Sequence, residues 1–315
     1  MDRTKPSKVH LPDDKGIAAA AAVIMRGGTV AVPTETVYGL AARADDDAAV
    51  AGIYRAKGRP DFNPLIVHVP DATAAQALAV FDARTNALAA AFWPGALTMV
   101  LPRREGVALA AAVSAGLPTV ALRCPAHDVM QALLKTCGLP LAAPSANRSG
   151  GVSPTSAAHV AASLGDRVDL ILDGGETQRG IESTIVGLRN DGSWAILRPG
   201  PITEHEIADV LGGASNAVMS VKIEAPGQLA SHYAPGKPVR LNAEAAGEGE
   251  YLIGFGPIMG DVSLSSGGDL AEAAARLYAC LHLAAAAPKA LIAVAPIPDH
   301  GIGTAINDRL RRAAA

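Results

Sequence analysis

Short apolar runs alternate with longer segments of helical periodicity along most of this chain of 315 residues, and this alternation limits the folds that the chain can adopt. Residues 65–69 and 119–123 are typical of the runs, because each is rich in β-branched residues and has the length of a buried strand. Each is followed by a segment whose apolar residues recur at helical spacing. Strands that alternate with helices form sheets covered by helices. The pattern therefore predicts an α/β fold.

The alternation is interrupted over residues 212–238, where no long element is predicted. A single hydrophobic core seldom grows beyond about 250–300 residues, so two domains are expected. We predict a large N-terminal domain over residues 1–211 and a small Rossmann-like α/β domain over residues 239–315. A long segment without regular structure inside a compact protein is either disordered or a functional lid. Because the pair His232 and Tyr233 is too specific for a spacer, we interpret residues 212–238 as a lid-like linker.

Composition and charge argue against several classes of partner. The net charge is −3, so no overall positive field attracts the protein to nucleic acid or to an anionic membrane. Aromatic residues make up 3% of the chain, which leaves few platforms for stacking single-stranded bases. The longest apolar run near the N-terminus, residues 17–25, is too short to cross a bilayer. We therefore expect a cytoplasmic protein that does not associate with membranes.

One basic segment stands out at residues 57–64, Lys-Gly-Arg-Pro-Asp-Phe-Asn-Pro. An extended backbone would place the side chains of Lys57 and Arg59 on the same side, so that both positive charges face one target. Lysine supplies a compact charge, and arginine supplies a planar fork suited to phosphate or carboxylate. The segment can bind an anionic ligand or form a solvated basic turn, and taken alone it leaves both interpretations open.

Two predicted strands end in polar segments that can present a site. Residues 29–32 lead into residues 33–40 (PTETVYGL), and residues 139–143 lead into residues 144–151 (PSANRSGG). After the second segment we predict a helix with Ser153 as its N-cap, whose first N–H groups would form an anion cradle. The structural alternatives are an ordinary threonine-rich loop and a flexible Gly/Ser linker.

Single polar residues within apolar runs also have two interpretations. His68 interrupts one predicted strand, and Arg123 ends another. Each can contact a ligand, or His68 can be a satisfied core residue and Arg123 a charge that reaches solvent at the sheet rim. The Asp-Gly pair at residues 191–192 predicts a hairpin, whose two strands carry Ser183 and Arg198 as polar members.

Five of these segments, taken in order, resemble the YrdC family. They are residues 33–40, 57–60 with 63–65, 144–147, 182–184 and 197–200. Residues 231–235 and 301–310 are similar to the long, two-domain branch of that family. The resemblance implies a YrdC-like catalytic domain, with a twisted mixed sheet and flanking helices, and a small C-terminal α/β domain.

The resemblance also implies an activity, that of an L-threonylcarbamoyladenylate synthase. Such an enzyme converts ATP, L-threonine and bicarbonate into threonylcarbamoyl-AMP and pyrophosphate. Separate tRNA threonylcarbamoyl transferase proteins then use this product to modify an adenosine of tRNA, and direct binding of this chain to tRNA is left open. The expected cofactor is Mg²⁺ bound with ATP. The three widely spaced cysteines indicate no zinc site, and no protein ligand to a metal is identified.

The family pattern assigns roles to residues of the first domain and of the linker. The catalytic set is Lys57, Arg59, Ser145 and Asn147. ATP contacts are assigned to Arg59, Asn63, Thr119, Ser145, Ser153, Arg198 and Tyr233. L-threonine contacts are assigned to Thr36, His68, Arg123, Ala143 and Ser183. Residues 228–230 (Gln-Leu-Ala) depart from the family's usual residues, which bears on lid closure rather than on the chemistry.

Two other activities are compatible with parts of this pattern. A YrdC-type carbamoyltransferase forms carbamoyladenylate from carbamoyl phosphate, but that larger type carries zinc-finger cysteines and an acylphosphatase-like segment that this chain does not show. A non-catalytic module for double-stranded RNA would use a basic concave surface, against which the net charge of −3 argues. We therefore favour the synthase as the first hypothesis.

Overall fold

The computed structural model describes residues 8–59, 63–189, 191–213 and 232–315, and within them the chain forms two β-sheets. The strands of the large sheet are β1 Val9–His10, β2 Val30–Pro33, β3 Tyr38–Arg43, β4 Ile66–His68, β5 Leu97–Pro102, β6 Thr119–Arg123, β7 Leu141–Ala142, β8 Leu170–Leu172, β9 Thr184–Leu188 and β10 Trp194–Arg198. The helices beside it are α1 Asp14–Met25, α2 Asp47–Lys57, α3 Ala72–Leu78, α4 Ala83–Phe92, α5 Ala111–Ser114, α6 Asp128–Cys137, α7 Ala157–Leu164 and α8 Glu204–Leu211. The small sheet contains β11 Val239–Arg240, β12 Glu250–Gly254, β13 Val262–Ser263 and β14 Leu291–Val294, with helices α9 Leu270–Ala286 and α10 Gly303–Ala313.

The strand order shows two different sheet types. The large sheet runs β1-β8-β2-β3-β7-β4-β6-β5-β9-β10 and mixes parallel with antiparallel pairs. The small sheet runs β11-β14-β12-β13, and its pairs are parallel. The predicted α/β class, with a large mixed sheet and a second Rossmann-like unit, is therefore confirmed. The domain limits at residues 211 and 239 stay a prediction, and residues 214–231 of the predicted lid lie outside the described residues.

Apolar side chains from loops of the large sheet and from the C-terminal unit share one buried cluster. Val37, Val152 and Ile181 come from loops of the large sheet, and they belong to the same cluster as Leu277 and Leu281 of α9. The rest of the large-sheet core lies mainly in two further clusters. Since burial of apolar surface stabilises whatever contact it forms, the C-terminal unit is held directly against the loops that follow the large sheet's strands.

The end of α2 differs from the predicted extended basic segment. Asp46 caps the start of this helix by accepting hydrogen bonds from the N–H groups of Ala48 and Ala49. The helix continues through Lys57 and stops at Gly58, whose φ of 60° is in the left-handed region that favours glycine. The prediction of an extended Lys-x-Arg backbone is therefore wrong, because Lys57 still belongs to the helix. Residues 60–62 lie outside the described residues.

Two further local predictions are corrected by tertiary contacts. Residues 38–43 form β3 in an antiparallel pair with β2, so the polar turn between the strands spans only residues 34–37. The helix after the Gly/Ser segment begins at Ala157 with Ser156 as its N-cap. Ser153 does not cap it, because its hydroxyl donates to Glu182 instead, at 2.5 Å. Thr203 and Glu206 form a capping box at the start of α8, and the predicted β9–β10 hairpin is confirmed.

In the described ranges, no helix combines the length and the apolar character that a bilayer crossing requires.

Candidate active site

A small cavity lies where loops of the large sheet meet the start of the C-terminal part of the chain. Its volume is about 50 Å³. Nine of the residues predicted to bind substrate line it: Thr36, Arg59, His68, Arg123, Ala143, Ser145, Ser183, Arg198 and Tyr233. The wall also includes Glu182 and His232, to which no substrate contact was assigned.

Five predicted residues do not line this cavity, although four of them lie close behind its wall. Lys57 and Asn147 hold the loop that contains Ser145, Asn63 lies beside Arg59, and Ser153 bonds to Glu182. Thr119 is the exception. It begins β6, at the opposite end of that strand from Arg123, and its role in ATP binding stays a prediction.

One side of the cavity is built around Arg123, at the end of β6. Its Nη1 donates to the Thr36 hydroxyl at 2.9 Å, its Nη2 to Oε1 of Glu35 at 2.7 Å, and its Nε to the Gly95 carbonyl at 3.2 Å. A guanidinium has five N–H groups, so these bonds leave one on each terminal nitrogen for a ligand. Burial works to raise the pKa of Glu35, but Arg123 lowers it below its ordinary value, and the pair is ionic. We call Thr36, Glu35, His68 and Arg123 the Arg123 side.

His68 adds a neutral imidazole to the Arg123 side. It lies directly opposite Arg123 in the parallel β4–β6 pair, because both residues end their strands at the same edge. Burial, together with the positive charge of Arg123, lowers the pKa of His68 to about 3. Its Nδ1 has no hydrogen-bond partner among the described residues. A buried polar atom of this kind is costly unless something pairs with it, so it suits a polar ligand in the cavity.

The other side of the cavity carries two further buried cations, Arg59 and Arg198. The Nε and Nη2 atoms of Arg198 donate to the Ser183 carbonyl at 3.1 and 2.9 Å. Arg59 donates from Nη2 to the carbonyl of Pro64 at 3.2 Å, while its Nε has no partner among the described residues. Burial lowers the pKa of Arg59 to about 10, which still leaves the guanidinium charged at neutral pH. We call Arg59, Ser145, Ser183 and Arg198 the Arg198 side.

Lys57 does not line the cavity, and its ammonium contacts the loop that follows β7. Its Nζ donates to the carbonyls of Ser145 and Asn147, each at 2.6 Å. Asn147 in turn donates from its amide to the carbonyls of Arg148 and Gly151. Burial lowers the pKa of Lys57 well below its ordinary value. These contacts support the loop that carries Ser145, and the predicted contact of Lys57 with phosphate stays a prediction.

The C-terminal part supplies the predicted residue Tyr233, together with Tyr278 and Arg309, to which the sequence analysis gave no role in the site. Tyr233 is buried against the cavity with a left-handed backbone, at φ 65°, and its ring packs on Tyr278 of α9. Arg309 of α10 contacts Glu182 in the cavity wall. The sequence signal for Arg309 was its helical spacing, because it is buried on the same face of α10 as Ile306 and Leu310.

The described residues contain no group of three His, Cys, Asp or Glu side chains arranged to hold a metal ion. Among the described residues that line the cavity, Glu182 supplies the carboxylate, and it already accepts three hydrogen bonds. Mg²⁺ bound to nucleotide phosphates needs few protein ligands, so this donor set fits a metal that arrives with ATP.

Comparison with known proteins agrees with this arrangement. A Sua5/YciO/YrdC family model, described as telomere recombination, matches residues 22–200, and a model described as the C-terminal domain of threonylcarbamoyl-AMP synthase matches residues 202–315. The threonylcarbamoyl-AMP synthase of Bacillus subtilis is 40% identical over 328 residues, which cover 96% of this chain and 94% of the relative. That of Pyrococcus abyssi is 38% identical over 323 residues, covering 95% and 94%.

The crystal structure of P. abyssi Sua5 complexed with L-threonine superposes on this chain with a TM-score of 0.87 and 36% identity. The superposition covers 95% of this chain and 94% of that one, so both sheets are shared. The first family model spans more than half of the chain, and the two curated relatives match it almost from end to end. The chain therefore belongs to the Sua5/YciO/YrdC family, in the form that carries the Sua5 C-terminal domain.

Proposed function

We propose that this protein is a threonylcarbamoyl-AMP synthase that converts ATP, L-threonine and bicarbonate into threonylcarbamoyl-AMP and pyrophosphate. The observation that carries the proposal is the convergence of Arg123, Arg198 and Arg59 on one buried cavity, with unpaired polar atoms on His68 and Arg59. The names of the full-length relatives and the L-threonine complex of P. abyssi Sua5 support it.

The Arg123 side suits L-threonine. The two remaining N–H groups of Arg123 can pair with the amino acid carboxylate, which a guanidinium fork recognises well. Thr36 presents a hydroxyl and neutral His68 an unpaired ring nitrogen, while Ser183 adds a second hydroxyl from the Arg198 side. Ala143 adds a small apolar surface to the same wall. We assign this side to threonine and expect its amine to point toward the Arg198 side.

The Arg198 side suits the phosphates of ATP. The amine of threonine adds to carbon dioxide derived from bicarbonate, and an oxygen of the resulting carbamate attacks the α-phosphorus. The bond from that phosphorus to the oxygen bridging to the β-phosphate breaks, and pyrophosphate leaves with the bonding electrons. Arg59 and Arg198 stabilise the charge that develops on the phosphates, and Ser145 adds a polar contact. A Mg²⁺ ion bound with the phosphates that Arg59 and Arg198 hold would supply further neutralisation of their charge.

We assign residues 212–238 to a lid whose His232 and Tyr233 cover the cavity. Sites for molecules of nucleotide size are commonly about 300–1,000 Å³, so a space of about 50 Å³ must open before ATP enters. Carbamates and acyl adenylates hydrolyse readily, and closure of a lid keeps water from them. We expect Tyr233→Ala to weaken the use of ATP and to release an adenylate that decays faster, which chromatography of the product over time measures. Retention of the wild-type lifetime would contradict the lid assignment.

The product would then supply separate transferase proteins that modify tRNA. The proposed function is tested by measuring pyrophosphate release from ATP with threonine and bicarbonate each omitted in turn. We expect release to require both. Release that ignores threonine would overturn the proposal, and release that requires carbamoyl phosphate instead would favour the carbamoyltransferase.

A further inference from the structure

Glu182 lies between the cavity and the C-terminal sheet, and every oxygen of its carboxylate is engaged. Oε1 accepts from the Ser153 hydroxyl at 2.5 Å, and Oε2 accepts from the Tyr278 hydroxyl at 2.8 Å and from Nε of Arg309 at 2.9 Å. Burial works to raise the pKa of this carboxyl, but the charges of Arg309 and Arg198 hold it at about 2. Glu182 is therefore a buried anion, and two of its three partners belong to the C-terminal domain.

Arg309 brings the C-terminal domain to the cavity wall. Its side chain is fully buried, which a cation tolerates only when its charge and N–H groups are paired. Besides the bond to Glu182, its Nη1 donates to Asp308 at 2.7 Å and its Nη2 to the carbonyl of Pro199 at 2.9 Å. Its guanidinium also lies 5.3 Å from the ring centroid of Tyr233. One side chain thus contacts two segments of the wall and the residue that covers it.

The two segments that Arg309 holds are the ones that carry Ser183 and Arg198. Glu182 directly precedes Ser183, and Pro199 directly follows Arg198. Ser183 and Arg198 are joined to each other, because the guanidinium of Arg198 donates to the Ser183 carbonyl. Arg309 therefore holds the residues next to Ser183 and Arg198, and this hydrogen-bonded pair lines the cavity. A displacement of Glu182 or Pro199 would move the arginine assigned to phosphate and the serine assigned to threonine together.

We propose that Arg309, assisted by Tyr278, is a positioning residue that acts through Glu182, so that the C-terminal domain completes the active site of this long form. This inference rests on the proposed function for its predicted changes in kcat and KM. The prediction that Arg309 holds residues 182–184 in place does not depend on that function. The planar fork of arginine is required, since the single charge of lysine cannot contact Glu182, the Pro199 carbonyl and the Tyr233 ring in the same geometry.

The first test compares Arg309→Lys with a matched variant of the same domain. Arg240 of the same domain forms a two-point pair with Glu250, and neither residue lines the cavity, so Arg240→Lys removes an arginine fork away from the site. At a temperature where circular dichroism shows all variants folded, we expect Arg309→Lys to lower kcat about tenfold or more, and Tyr278→Phe a few-fold, because small misplacements of charge are costly in such reactions. Arg240→Lys should stay near wild type. Wild-type kcat and threonine KM in both Arg309→Lys and Tyr278→Phe would overturn the proposal.

A double variant tests whether Arg309 acts through Glu182. In a Glu182→Gln background, Arg309→Lys should add little to the loss of kcat, since residues that act as one unit are not additive. Two independent losses that multiply would contradict the proposed route.

Hydrogen exchange separates this inference from the proposed function. We expect Arg309→Lys, but not Arg240→Lys, to speed amide exchange in residues 182–184. If the wild-type protein releases no threonine-dependent pyrophosphate, the proposed function fails, while faster exchange would still support the positioning role. Unchanged exchange in Arg309→Lys would overturn that role whatever the activity.

Discussion

Two buried arginine–glutamate pairs flank the cavity, and they serve it differently. Arg123 and Glu35 both come from the large sheet, whereas Arg309 and Glu182 join the C-terminal helix to that sheet's loops. Arg123 lines the cavity and has N–H groups left for a ligand. Arg309 lies behind the wall, and its hydrogen bonds go to protein atoms. The Arg123 side is thus assembled by one domain, while the Arg198 side depends on two.

Arg123→Met is expected to have the largest effect. It leaves Glu35 as an unpaired buried carboxylate, which typically lowers the free energy of unfolding by about 3–5 kcal/mol. Chemical denaturation measures that loss, and calorimetry with L-threonine measures binding. The double variant Arg123→Met/Glu35→Gln should recover much of the stability but no threonine binding. Threonine binding by the double variant would show that Arg123, like Arg309, supports the protein structure without contacting substrate.

Lys57→Met tests a third buried cation, which supports the loop after β7. Loss of its ammonium leaves the carbonyls of Ser145 and Asn147 without this donor, and an unsatisfied buried acceptor costs about 1–3 kcal/mol. We expect a lower free energy of unfolding together with a lower kcat, in contrast to a purely catalytic lysine. Lys135→Met, an exposed lysine on α6, is the control and should change stability little. Full stability of Lys57→Met together with loss of kcat would instead indicate that Lys57 contacts phosphate directly.

The pH dependence of stability separates His68 from the two glutamates. Because the folded-state pKa of His68 is about 3, below its ordinary value near 6.5, the unfolded chain binds the proton first as pH falls. The contribution of His68 to stability is therefore complete above pH 6.5 and declines below it, by about 1.4 kcal/mol per pH unit. The contributions of Glu35 and Glu182, whose pKa values are lowered, are lost only below their ordinary value of about 4.5.

Urea denaturation at pH 6.0, 5.5 and 5.0 measures this effect. His68→Gln should reduce the slope of the unfolding free energy against pH by about the amount due to one histidine. A slope equal to that of the wild type would mean that His68 titrates normally and that its imidazole is not sealed beside Arg123.

Thr98→Val is expected to have the smallest effect, and it sharpens the comparison between the domains. Thr98 and Ser183 share a hydroxyl–hydroxyl hydrogen bond of 2.8 Å, which holds Ser183 from β5 within the large sheet. Loss of one such bond lowers the free energy of unfolding by about 1 kcal/mol. We expect a modest rise in the KM for threonine and little change in kcat. A loss of kcat as large as that of Arg309→Lys would mean that the first domain, rather than the C-terminal domain, controls the position of Ser183.

Much of the site follows from where polar residues interrupt apolar runs. His68 and Arg123 end neighbouring strands, and the structure pairs them in register. Ser183 and Arg198 were predicted on the two strands of a hairpin; the structure places Ser183 just before β9 and Arg198 at the end of β10, and the hairpin joins them. These features depend on local periodicity and turn chemistry, which the amino acids of a short segment determine by themselves.

Local sequence patterns were thus enough to predict the α/β class and the hairpin, and the resemblance to the YrdC family supplied most of the polar residues that line the cavity. Tertiary structure alone decided the direction of Lys57, whose partners lie 88 and 90 residues away, and the start of α7, because Glu182 takes the Ser153 hydroxyl. It also decided the role of Arg309, whose partner Glu182 is 127 residues away. The physical reason is that a buried charge is stable only beside an opposite charge, which can come from a distant part of the chain. A local sequence pattern does not show which residue that is.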